Sequence, residues 1–311
     1  MFDRFRPKTG AIHPLILALG LGLAIIALST AAPFFRQAAP THPMAAAALR
    51  LAAAFVLLLP FLLRAWRAGR TNHRFWVHAL AAGGFYALHF GTWVTSLTMT
   101  SVAASVTLVT ATPLILAVWA VLHKTDVPSR RTWMALAISG LGMVVIGGHD
   151  LGISTTHFLG DFLAMAGAFS MAAYLLVARR LGKDLDVLAF MAVATGCGAA
   201  VLYAACFAIG VDPAPASHGA LIFLLLAALV PQLIGHNLLT WALRHTTPTT
   251  VGIATVGEPV GATILAWIWL GESVSPVIIF GGCLTISGVI LAITAGANRA
   301  TRASPSADGE P

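Results

Sequence analysis

Ten apolar stretches fill nearly the whole of this 311-residue chain, and its basic residues fall in every second gap between them. Sixteen of the eighteen Lys and Arg residues follow that alternation. The basic gaps are the N-terminal tail (Arg4, Arg6, Lys8), 64–74 (Arg64, Arg67, Arg70, Arg74) and 124–131 (Lys124, Arg130, Arg131). They continue with 179–183 (Arg179, Arg180, Lys183), Arg244, and the C-terminal tail (Arg299, Arg302). The other gaps hold only Arg36, and Arg50 lies inside an apolar stretch. Short loops rich in Lys and Arg stay on the cytoplasmic side of a membrane. The pattern therefore predicts ten crossings of a membrane with both ends in the cytoplasm.

The expected spans are 13–33, 42–63, 75–96, 101–122, 132–149, 158–178, 187–208, 218–243, 249–270 and 276–296. Each has the roughly 20 residues that an apolar helix needs to cross. In hydrocarbon every backbone amide must be satisfied within its own segment, so the spans are helices. A transmembrane barrel would alternate apolar and polar residues, and these stretches do not. Composition agrees: 58% of residues are hydrophobic and 9% charged, against roughly 25% charged in soluble proteins. The fold class is an all-α integral membrane protein, with no length left for a soluble domain. The net charge of +7 sits in short loops, where it sets topology and meets anionic lipid. Nucleic acid is not an expected partner. Cys197, Cys206 and Cys283 lie in apolar runs without metal spacing and read as small apolar residues.

The two halves resemble each other at an offset of 146 residues. Leu97 matches Leu243, Thr100 matches Thr246, and Pro113 matches Pro259. Asp126 matches Glu272, Ser129 matches Ser275, and Gly142 matches Gly288. The expected organisation is a five-helix repeat over 1–149, a second over 150–297, and a disordered cytoplasmic tail over 298–311. Residues 1–31 have the outline of a signal peptide, but the repeat needs this segment as an uncleaved first span. Five is odd, so the second copy enters the membrane from the opposite face. Inverted repeats of this kind mark secondary transporters, with the site near mid-membrane between the halves. The loops carry the same inversion: the gap after span two is basic, and its repeat partner, 209–217, has no Lys or Arg.

Ten helices in two halves, with Gly257–Ser273 reading GEPVGATILAWIWLGES, resemble the EamA-type drug/metabolite transporters. The match rests on Glu258-Pro259 inside the ninth span and Leu270-Gly271-Glu272 at its end. Pro113 pairs with Pro259 in the first half, Thr125-Asp126 stands where the family often has Gly-Glu, and Arg50 fits an Arg common in the second span. The resemblance implies an inner-membrane carrier, often an exporter of amino acids or other small metabolites.

Candidate site residues follow from polarity at depth. Glu258 is the only carboxylate deep in a span, where burying an ionised acid costs several kcal/mol unless it is paired or protonated. It reads as a proton-coupling or cation-binding acid, or as a structural donor to backbone freed by Pro259. Its repeat partner is Thr112. Arg50 is the only deep cation and is a candidate for a substrate anion, for Glu258, or for helix ends. Tyr86, His89, Phe90 and Trp93 share one helical face in span three. Gln232, His236 and Thr240, with Asn237 alongside, do so in span eight. At the 146 offset Tyr86 pairs with Gln232 and Phe90 with His236. These faces are expected to line a substrate cavity, against the plainer reading of helix–helix hydrogen bonding and packing. Pro113 and Pro259 are expected to bend their helices. The hydroxyls Ser101, Ser105, Thr107, Thr110 and Thr112, and the glycines Gly257 and Gly261, read as close packing. Trp66, Trp76, Trp119 and Trp133 fit an aromatic belt.

No Walker-type loop, HExxH, GxSxG or Cys cluster occurs. Neither enzymatic activity nor a cofactor or metal is expected. The expected partners are a small-molecule substrate and the bilayer, with a homodimer left open. The leading expectation is export of small metabolites by alternating access. Efflux of lipophilic cationic drugs is the rival, and a membrane-embedded enzyme or sensor the third reading.

Overall fold

A computed structural model describes residues 12–124, 129–148, 155–182, 186–271, 276, 277, 279–284, 287, 288 and 291. The N-terminal basic cluster, Thr125-Asp126, Glu272, Ser275 and the expected tail 298–311 lie outside them. Among the described residues the fold is helical throughout, with no strand. The helices are α1 (Pro14–Ser29), α2 (Ala31–Gln37), α3 (Pro43–Arg67), α4 (His73–Ser96), α5 (Val102–Val109), α6 (Thr112–Leu122) and α7 (Arg130–Gly148). The chain continues with α8 (Thr155–Arg179), α9 (Val187–Ala208), α10 (His218–Ala227), a wide π-helical stretch (Ala228–His236), α11 (Asn237–Ala242), α12 (Pro248–Thr255) and α13 (Glu258–Leu270).

Among the described residues seven helical rods are long and apolar enough to cross a membrane. α4 runs 24 residues, about 36 Å at helical rise, but carries His73, Arg74, His78 and His89. α7 is a 19-residue helix that starts on Arg130 and Arg131. The tenth expected span is helical wherever it is described. α1 presents Leu15, Leu19, Leu23 and Ile26 outward, each more than half exposed. An apolar stripe of that extent belongs against hydrocarbon. Trp66, Trp119 and Trp133 are exposed as well.

The 146 offset recurs in the elements themselves. α5 and α6 are parted at Thr110-Ala111, and α12 and α13 at Val256-Gly257, 146 residues later. Packing follows the same exchange. α3 lies on α9, its own counterpart. α4 lies on α8, and the π-helical stretch lies on α1. α6 meets α12 while α13 meets α5. Loop contacts follow the parity of the charges. Arg74 donates to the Arg180 carbonyl at 2.5 Å, Arg70 pairs with Asp186 at 2.7 Å, and Arg179 donates to the Leu243 carbonyl. All of these join basic gaps at one end. At the other end Arg36 donates to the Thr100 carbonyl at 3.3 Å, and the Ala216 amide donates to Thr41 Oγ1 at 3.0 Å.

Close helix approach rests on small residues, as expected where lipid offers no hydrophobic contrast. Ala45, Ala46, Ala47 and Ala48 are buried in α3. Gly257 faces Ile25, and a Cβ on Gly261 would collide with Ser29 of α1. Gly261→Leu is therefore expected to prise α13 from α1. Overpacking of this kind costs about 1–3 kcal/mol or more. In fluorescence-detected size exclusion the variant should lose most of its monodisperse peak, whereas a substitution at Gly84, which faces open space, should not.

Candidate functional site

The site grows from the helix breaks. Pro259 stands in the first turn of α13, where its missing N–H removes no helical bond. The rod is interrupted at Val256-Gly257 and resumes at Glu258. Glu258 is thus the first residue of a 13-residue helix, where free N–H groups and the dipole stabilise negative charge. Pro113 likewise stands in the first turn of α6, and Thr112, the repeat partner of Glu258, opens that helix.

Both first residues line one small cavity at the meeting of the halves, with His89, Trp93, His236 and Thr255. Its volume is about 30 Å³, room for only a water or two. Glu258 is half-buried there, and among the described residues its carboxylate makes no hydrogen bond or ion pair. Thr112 donates to the Val109 carbonyl at 3.1 Å and the Ala168 carbonyl at 3.3 Å. His89 Nδ1 lies 2.9 Å from the Gly167 carbonyl. The His89 ring stacks on Trp93 at 6.0 Å and meets His236 edge-on at 6.4 Å.

Behind this aromatic wall lies a buried polar chain. Arg50 Nη2 donates to Gln232 Oε1 at 3.1 Å, and Gln232 Nε2 donates to the Tyr86 hydroxyl at 3.4 Å. Tyr86 stacks on Tyr174 at 4.4 Å, whose hydroxyl shares a 2.7 Å hydrogen bond with Thr240 and reaches the Met191 sulfur at 2.9 Å. The Arg50 guanidinium sits 4.4 Å from the Phe90 ring centre and 5.5 Å from that of Phe35, within cation–π range. Arg50 is fully buried, and among the described residues its Nε and Nη1 have no hydrogen-bond partner. Arg50 and Glu258 are within electrostatic reach but form no ion pair among the described residues; Arg50 packs on Phe90 and does not line the cavity.

The candidate residues from the sequence thus separate into three places. His89, Trp93, His236 and Glu258 face the cavity. Arg50, Tyr86, Gln232 and Thr240 form the polar chain, with Phe90 packed against Arg50. Asn237 lies in the wall of a different hollow, its Nδ2 donating to the Leu233 carbonyl at 2.8 Å and its Oδ1 unpaired. Two repeat pairs meet each other directly: Gln232 with Tyr86 through their hydrogen bond, and Phe90 with His236, ring centres 5.4 Å apart. Tyr174, Met191 and Phe35 belong to the same assembly and were missed. Tyr174 is one of three tyrosines in the chain and sits mid-span, which was the available signal. Thr110, assigned to packing, lines the cavity with Thr112.

The sequence pattern of the EamA-like transporter family matches residues 15–148 and again 158–294. A curated relative, the "Uncharacterized transporter YdfC" of Bacillus subtilis (strain 168), is 24% identical over 182 residues, or 58% of this chain. The chain spans 59% of the length of that relative. A solved structure described as "Crystal structure of protein" is similar in fold, with a TM-score of 0.70 at 16% identity, over 91% of this chain and 99% of the other.

Proposed function

The chain belongs to the EamA-like transporter family, and on that premise we propose that it is a secondary carrier exporting small amphiphilic metabolites, amino acids foremost, by alternating access. In this reading ten helices cross the inner membrane as two inverted five-helix repeats, with both termini cytoplasmic. α4, α7 and the segment from 276 complete the set begun by the seven strongly apolar rods. The observation that carries the reading is a pair of charges with open valences, Arg50 buried and Glu258 half-buried. Among the described residues Arg50 has two guanidinium nitrogens without acceptors and Glu258 has a carboxylate without donors, with Phe90 packed on the first and Trp93 lining the cavity of the second. A zwitterion with an apolar body satisfies both and stacks on these rings. The cavity of about 30 Å³ is too small for such a solute, so this conformation is occluded. Movement of Phe90 or Trp93 would join the Arg50 side to the cavity, and the twin helix breaks supply pivots. Proton exchange at Glu258 is the proposed coupling step.

A second reading is favoured by one observation: Glu258 is the only charged side chain lining the cavity. A lipophilic cation would need that acid and the aromatics, but not Arg50. The deciding experiment is flux from proteoliposomes with a panel of amino acids and cationic dyes. Movement of amino acids, saturable and driven by a pH gradient, supports the carrier proposed. Movement of dyes alone would replace it with drug efflux, and no flux of either class would remove both.

A further inference from the structure

The hollow that holds Asn237 in its wall has a volume of about 1070 Å³ and is distinct in chemistry from the central cavity. Its rim carries Arg70, Asp186 and Arg244, at the end where the basic gaps meet. Its deeper wall is Leu23, Leu233 and Ile234. Leu23 is 51% exposed and belongs to the outward stripe of α1, and Ile234 is 41% exposed. The deep end therefore opens sideways to the hydrocarbon. Ile234 precedes Arg244 by ten residues, at most about 15 Å because part of the stretch is π-helical, which keeps both within one leaflet of a hydrocarbon core roughly 30 Å thick. The hollow thus runs from headgroup level to about the depth of one leaflet. At the rim Arg70 is matched by Asp186 at 2.7 Å. Arg244 is exposed and makes no side-chain hydrogen bond or ion pair among the described residues. One uncompensated cation above an apolar groove is complementary to an amphiphile with an anionic head.

We infer that this groove binds an anionic phospholipid of the cytoplasmic leaflet, headgroup on Arg244 and one acyl chain along Leu23, Leu233 and Ile234. Basic pockets between helices at that face recognise such headgroups. The inference does not depend on which solute is carried. Its test is native mass spectrometry of the full chain, delipidated in detergent and titrated with phosphatidylglycerol or phosphatidylcholine of identical acyl chains. The wild type should hold phosphatidylglycerol about fivefold more tightly, the effect of one basic residue near the surface. Arg244→Glu should erase that preference while leaving the weaker acyl binding. Ile234→Trp, which fills the groove, should reduce adducts of both lipids. Equal binding of the two lipids by the wild type would overturn the inference. So would a preference that survives Arg244→Glu, adducts unchanged in Ile234→Trp, or a dimer of this chain that is lost in Ile234→Trp.

Discussion

Glu258→Gln should abolish transport driven by a pH gradient, with the initial rate in proteoliposomes falling at least about tenfold, equivalent to about 1.4 kcal/mol. The argument is local. A carboxyl in a cavity of about 30 Å³ must be paired or protonated, and no cation touches it. The first turn of α13 stabilises the anion, so both forms have support: the anion from backbone N–H groups, the neutral acid from the apolar wall of Leu28, Val109 and Met171. Gln reproduces the shape of the neutral form and removes the exchangeable proton. Solute counterflow, which needs no net proton movement, should therefore survive better than gradient-driven flux. The measurement is the ratio of the two rates. Wild-type flux with unchanged pH dependence would end proton coupling through Glu258.

The second large effect separates stability from function. Arg50→Met should leave the thermal midpoint in detergent unchanged or raised while removing transport of solutes that carry a carboxylate. Arg50 buries two unpaired donors, and an unsatisfied buried polar group costs about 1–3 kcal/mol, more when charged. Replacement of a buried ion by an apolar residue of similar volume is often neutral or stabilising by about 1–4 kcal/mol. Against that stand the loss of contact with Phe90 and an unpaired Gln232 Oε1, one acceptor set against two charged donors. If the arginine is purely structural, the midpoint falls and transport per folded molecule does not. Flux of cationic dyes, should they be substrates, is expected to persist in Arg50→Met, because Arg50 does not line the cavity.

Much of the architecture was legible in residue order. Apolar length and loop charge delineate the rods, and the charge parity recurs in which loops touch. The offset of 146 makes Tyr86 and Gln232 equivalent positions, and the two side chains meet in the fold. Two features were not legible. A Glu-Pro step inside an apolar run reads as a kink, because the alternative, a stop and restart, depends on what packs beside Gly257. The face predicted for span eight assumed 3.6 residues per turn. The π-helical stretch, which holds Pro231, widens the turns, and such stretches cluster at functional sites. The changed register leaves Gln232 and Thr240 in the polar chain, His236 at the cavity and Asn237 in the wall of the second hollow. No period drawn from sequence separates those four.

The meeting of Tyr86 with Gln232 has a consequence for how such a seam can diversify. In an antiparallel pair of identical five-helix chains, a residue at this position would face its own copy. Tyrosine would meet tyrosine, or glutamine would meet glutamine, and any substitution would be made twice at once. Covalent union of the halves lifts that constraint. One side can become an aromatic hydroxyl and the other an amide, which then passes a hydrogen bond on to a buried guanidinium. If the halves are the inverted repeats proposed above, asymmetric chemistry at their seam requires that the two copies be free to differ in sequence, as they do here at Tyr86 and Gln232.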